Sequence, residues 1–150
     1  MTPHKRNAVS ATKNRFFEVL DHEFNRAARY KNDVALIFIK ISRLDEIGKL
    51  YGRLTARRQL RKIERLIRSN IRSSDWQFNY ETDELMLILP NTPISGANCM
   101  IPKLTQLIES RPFIRREGDP IELSAEFSIA SYAHDVQDRL HEIRLAGNNG

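Results

Sequence analysis

The sequence predicts an α+β domain, a mostly antiparallel central sheet flanked by helices, and three observations predict it. The apolar, β-branched run Val34-Ala35-Leu36-Ile37-Phe38-Ile39 reads as a buried strand and is far too short to cross a bilayer. Two apolar-rich runs, Trp76–Tyr80 and Leu85–Leu89, flank a polar tip and read as a hairpin, which forces antiparallel pairing. Helical periodicity alternates with such strands in the order α-β-α-β-β-α-β-β-α, the pattern of helices layered on one sheet.

Each element has its own justification. Phe16, Phe17, Leu20, Phe24 and Ala27 or Ala28 recur at helical spacing between Asn14 and about Tyr30, and Ser10 or Thr12 can cap the start. Asp33 to Ser42 is the first strand. A turn and short helical piece follow through Leu44, Ile47 and Leu50 to Tyr51-Gly52. From about Leu54 to Asn70, Leu60, Ile63, Leu66 and Ile67 define one face of a helix. The opposite face carries Arg57, Arg58, Arg61, Lys62, Arg65 and Arg68, with Arg72 beyond its end. Such a face reads first as solvated surface; contact with RNA or a membrane, and steering of an anionic ligand, are the other readings.

After the hairpin, Ile94 to Ser110 is helical, with Pro102 predicting a kink or restart. Phe113–Glu117 and Ile121–Tyr132 read as strands around the turn Gly118-Asp119-Pro120. A last helix covers roughly Val136 to Leu145 and stops at Gly147.

At 150 residues the chain is one domain spanning residues 1–150, with residues 1–8 expected to be a flexible N-terminal segment. Its hydrophobic content of 41% and charged content of 29% are ordinary for a globular protein. A net charge of +5 raises nucleic acid, anionic lipid or a phosphorylated small ligand as partners. The single cysteine, Cys99, excludes an internal disulfide framework and fits a reducing cytoplasm. The basic start, Met1-Thr2-Pro3-His4-Lys5-Arg6, has no apolar run behind it, so neither a leader nor a membrane segment is expected. His4, His22, His134 and His141 show no metal-ligand spacing, and nothing supplies Ser10 or Ser128 with a base.

The most informative stretch is the hairpin, Arg72-Ser73-Ser74-Asp75-Trp76-Gln77-Phe78-Asn79-Tyr80-Glu81-Thr82-Asp83-Glu84-Leu85. It resembles the GGDEF hairpin of diguanylate cyclases, with Glu81-Thr82-Asp83-Glu84-Leu85 over the signature. The resemblance extends over nearly the whole chain. Asn14-Arg15 matches the close of the family's opening pattern, and Lys40 to Lys49 followed by Tyr51-Gly52 its first-strand pattern. Glu126-Phe127-Ser128-Ile129-Ala130 matches the next landmark, and Val136 to Asn149 the closing helix. The resemblance implies a nucleotide-cyclase-like, ferredoxin-like palm.

In active members, carboxylates from the first strand and hairpin tip hold two divalent ions on a nucleoside triphosphate. The first-strand carboxylate falls at Lys40, the guanine-reading Asn at Gly48, a second guanine contact at Arg57, and the glycine pair at Glu81-Thr82. Glycine serves there because it tolerates positive φ and has no Cβ. With Asp83 and Glu84 opposite a lysine, the expectation is no catalytic residue, no metal, no cofactor and no enzyme activity. Lys40 is expected to pair with Asp83 in the metal's place.

The family's inhibitory site, an Arg-x-x-Asp pair five residues before the signature, falls at Arg72 and Asp75, and its second contact at Lys103. Arginine can donate two bonds to guanine O6 and N7 and aspartate can accept from guanine N–H groups, so the resemblance implies cyclic di-GMP binding. A structural salt bridge explains the pair nearly as well, and the same spacing recurs at Arg116 and Asp119. The expected role is therefore a regulatory receptor module. The alternatives are a ligand-free protein-contact or self-association domain, and RNA binding by the basic helix, with nucleic acid the weaker partner.

Overall fold

Successive residues of a strand point to opposite faces of its sheet, and in the first strand both sets are apolar. The computed structural model describes residues 9–131, with side chains from residue 14 onward. The elements are α1 (Val9–Tyr30), β1 (Val34–Ile41), α2 (Leu44–Tyr51), α3 (Arg53–Arg68), β2 (Trp76–Glu81), β3 (Glu84–Pro90), α4 (Ile94–Glu109) and β4 (Ala125–Ser131). The strands form one sheet in the order β2-β3-β1-β4, each neighbour antiparallel. From β1 onward this is the split βαβ, ferredoxin-like arrangement.

Ala35, Ile37, Ile39 and Ile41 of β1 join Leu85, Leu87 and Leu89 of β3 on one face, under α2, α3 and α4. Val34 and Leu36, with Met86 and Ile88, face the other way onto Phe16, Val19, Leu20, Phe24 and Ala27 of α1. Helices thus cover both faces, because neither set of β1 side chains could be left in water. Each fully buried Leu or Ile contributes roughly 1.5–3 kcal/mol.

Several boundaries differ from the sequence reading. Helix α1 begins at Val9, so Ser10 and Thr12 lie inside it and are not caps. Helix α4 runs through Pro102 without a break. Pro102 and Asn98, whose carbonyl loses its donor, are both exposed, and the fixed φ of proline is itself helical. The expected strand Phe113–Glu117 is a single bridge, Phe113 to Ile121, and regular pairing resumes only at Ala125. Beyond Phe113 follow Ile114, which is 70% exposed, and the charged Arg115, Arg116 and Glu117, so no buried apolar face extends the ladder toward the turn. Residues 1–8 and the expected helix Val136–Leu145 lie outside the described residues.

Helix α3 buries Leu60, Ile63 and Ile67 and exposes Arg53, Arg57, Arg58, Arg61, Lys62, Arg65 and Arg68. Four pairs along it, Arg53–Arg57, Arg57–Arg61, Arg61–Arg65 and Arg58–Lys62, are like-charged at i,i+4. Each such pair costs about 0.2–0.5 kcal/mol.

Candidate functional site

Two residues, Thr82 and Asp83, turn the chain between β2 and β3, with Glu81 and Glu84 as the closing pair. Tight two-residue turns of the primed types need positive φ, hence glycine. Neither Thr82 nor Asp83 has a positive φ. The register shifts between Asn79 and Glu81, so Tyr80 is an extra residue on β2 that bends the strand into the turn. The bulge makes glycine unnecessary at this tip. The Asp83 carbonyl then accepts the Ile41 N–H at 2.8 Å, tying the tip to the end of β1.

Across the sheet, Glu81, Glu84, Lys40 and Glu126 stand in one register row, on β2, β3, β1 and β4 in turn. Lys40 therefore faces Glu84 on one side and Glu126 on the other. The expected Lys40–Asp83 ion pair is not formed among the described residues, since Asp83 belongs to the turn and Glu84 takes the position opposite Lys40. A divalent cation wants several oxygen donors, and an ammonium within this row does not fit one.

The positions matched to base contacts lie on facing helices. A Cβ added to Gly48 would sit 3.7 Å from the Ala56 Cβ, so α2 and α3 pack closely there. Arg57 projects from exposed α3. Gly48 offers no side-chain amide, and Arg57 offers donors only.

Arg72 and Asp75 form a closed turn. Asp75 Oδ2 accepts the Arg72 backbone N–H at 2.8 Å and its Nε at 3.4 Å, and Oδ1 accepts Nη2 at 2.9 Å. The Asp75 N–H donates back to the Arg72 carbonyl at 3.0 Å. Arg72 Nη2 also donates to the Pro90 carbonyl at 2.8 Å and to the Thr92 hydroxyl. The side chain of Asp75 is 2% exposed and that of Arg72 53%. The spacing aims the two groups at each other, because a four-residue turn brings residues i and i+3 within bonding range. Arg72 keeps one edge of its guanidinium toward solvent, with Nη1 unbonded among the described residues.

Lys103 is exposed on α4, about 13 Å along the axis from Ile94. No contact joins it to Arg72 or Asp75 among the described residues.

Other polar positions were not legible beforehand. Thr92, buried at the end of β3, steadies both Pro90 and Arg72. Glu23 is buried on α1, accepts the Trp76 indole N–H at 3.1 Å and pairs loosely with Arg26. Its place in the stripe Phe16, Leu20, Phe24, Ala27 is the signal that could have found it. Glu64 is half-buried between α3 and β2, where Gln77 donates to its backbone carbonyl at 3.0 Å. Burial, outweighing a bond from Asn79 and the nearby Arg68, Arg61 and Arg65, pushes the Glu64 carboxyl above its ordinary value.

Against known proteins, the diguanylate cyclase GGDEF-domain family model matches residues 11–148. Diguanylate cyclase DosC of Escherichia coli K12 is 25% identical over 126 residues, which is 83% of this chain and 27% of that protein. Diguanylate cyclase A of Treponema denticola is 24% identical over 128 residues, 83% of this chain and 34% of that protein. The chain thus spans about a third or less of these relatives. Among solved structures, the GGDEF domain of DgcB from Caulobacter crescentus, in complex with c-di-GMP, superposes with a TM-score of 0.73 at 18% identity. That match covers 90% of this chain and 83% of DgcB's. SiaD from Pseudomonas aeruginosa, in complex with its activator SiaC, also gives 0.73 at 17% identity, covering 91% and 54%. The expectation of no enzyme is thereby corrected: the matching relatives are named as cyclases and point to an enzyme. It had rested on side chains at single positions, which do not decide what a family does. A family match across most of the chain, on a fold shared with solved GGDEF domains, makes this chain a member of the GGDEF domain family of diguanylate cyclases.

Proposed function

We propose that this GGDEF domain is a cyclic di-GMP receptor module, with Arg72 as the contact that recognises the dinucleotide. The observation carrying the reading is a half-exposed guanidinium whose inner edge is fixed by Asp75, Pro90 and Thr92 while its outer edge is open. A fixed arginine loses little freedom when it binds a phosphate or a guanine Hoogsteen edge. Asp75 is the positioning residue here rather than a guanine contact, since its carboxylate is already occupied. Lys103 supplies a second cation to the ligand's phosphates. The basic face of α3 leads toward Arg72 and raises the local concentration of a doubly charged anion. The complex of DgcB with the same dinucleotide supports the ligand class.

Calorimetry with cyclic di-GMP tests this. The expected result is micromolar or tighter binding by the intact chain, lost in Arg72→Ala and weakened at least about tenfold in Arg72→Lys, which keeps charge but loses the fork. Binding unchanged in Arg72→Ala would overturn it. The second reading is a protein-contact or self-association domain, favoured by one observation: Asp75 is spent on an internal pair and 2% exposed. Silence toward the dinucleotide together with concentration-dependent dimerisation would establish that reading instead.

A further inference from the structure

Apart from the ligand reading, we propose that the basic face of α3 and the corner at its start form a docking surface for an anionic membrane, lying on it rather than crossing it. Arg53, Arg57, Arg58, Arg61, Lys62 and Arg65 line that face, all exposed and without an ion pair among the described residues. Successive i,i+4 members are about 6 Å apart along the axis, which makes a linear array of positive charge. The fold gains nothing from this array, since its neighbours repel.

The corner identifies the partner. Leu50 is 53% exposed and Leu54 is 64% exposed, on either side of Gly52, where φ of +97° turns the chain from α2 into α3. Large exposed apolar side chains are few among the described residues, and two of them stand beside these cations. Aliphatic side chains that enter the acyl boundary, next to arginines that reach headgroup phosphates, are the pairing a lipid surface selects. Nucleic-acid phosphates bind the same cations, but two exposed leucines at the corner add nothing to that binding, and α3 carries no aromatic ring to stack on a base. Tyr51 is half-buried against the Phe113 ring, and Gln59 is buried and bonded to the Arg111 carbonyl. Of the acidic residues on these helices, Glu46 is tied to Arg43, and the half-buried Glu64, though near Arg61 and Arg65, bonds to Asn79 of β2.

The test is flotation of the whole chain with phosphatidylcholine vesicles, with or without about 30% phosphatidylserine. The chain is expected to float with the anionic vesicles alone and to be released by about 0.5 M salt. The double variant Arg57→Glu/Lys62→Glu is expected to lose at least about tenfold in partitioning, and Leu54→Ser roughly fivefold. Both glutamates acquire opposite-charge i,i+4 neighbours, so the double variant stays folded, and thermal unfolding checks this. Equal flotation with neutral vesicles, full binding by the folded double variant, or binding of duplex RNA without binding of anionic vesicles would each overturn the proposal.

Discussion

Asp75→Ala is the most revealing single perturbation of this domain, because it measures how firmly one carboxylate pins the turn that holds Arg72. The carboxylate is 2% exposed and accepts the Arg72 backbone N–H and both reachable guanidinium nitrogens. Removing it leaves a turn N–H without its acceptor and a half-exposed cation without its partner. Hydrogen bonds to a charged group are worth about 1.5–3 kcal/mol, and breaking a fully buried pair costs about 3–5 kcal/mol. Because the Arg72 side chain is 53% exposed, water replaces part of what it loses, and the expected cost is about 2–3 kcal/mol. Asp75→Asn keeps an acceptor for the backbone N–H but no charge, and is expected to cost about 1 kcal/mol. Urea denaturation measures both, with the midpoint falling and the slope unchanged. On the proposed reading, calorimetry on the same proteins should show cyclic di-GMP binding weakened in both, through loss of the bracing of Arg72. A loss below about 0.5 kcal/mol in Asp75→Ala would refute the claim that this turn is pinned by its carboxylate.

Other expectations follow from individual contacts. Burial holds the Glu64 carboxyl above 4.5, so the stability it lends is complete below that value and lost as pH rises through its raised folded value. Glu64→Gln is therefore expected to be more stable than the parent near neutral pH, with the gap closing as the pH falls toward 4.5 in thermal scans. Arg57→Glu converts two like-charge i,i+4 pairs into attractive ones and should raise stability by about 0.8–2 kcal/mol by urea denaturation, an effect weakened by salt. Restoring glycine at the hairpin tip should not help. Thr82 already has a negative φ, so Thr82→Gly is expected to cost about 0.5–1 kcal/mol through unfolded-state entropy, and a stabilised variant would contradict the turn geometry.

What a linear reading can reach is local periodicity. The run Val34 to Ile39, the amphipathic α3 and the β2–β3 hairpin were all legible, because each writes its burial into residue spacing. So was membership of the GGDEF domain family, which the family match across most of the chain bears out. The failures share a cause as well. Pro102 reads as a breaker only if its surroundings cannot take up the lost bond, and α4 leaves that side in water. Phe113–Glu117 looked extended but found a partner at one position.

The site depended still more on partners distant in sequence. That residue 40 is a lysine was plain from the chain, whereas its station between Glu84 and Glu126 follows from the register of three strands. Arg72 and Asp75 were visible as a spaced pair. That the carboxylate is buried and the arginine is braced by Pro90 and Thr92 was decided by the end of β3 folding back beside the turn. Spacing along a chain sets which residues can share a face. Which group then stays in water and which is enclosed is set by the elements packed over it, and those are chosen by the fold as a whole.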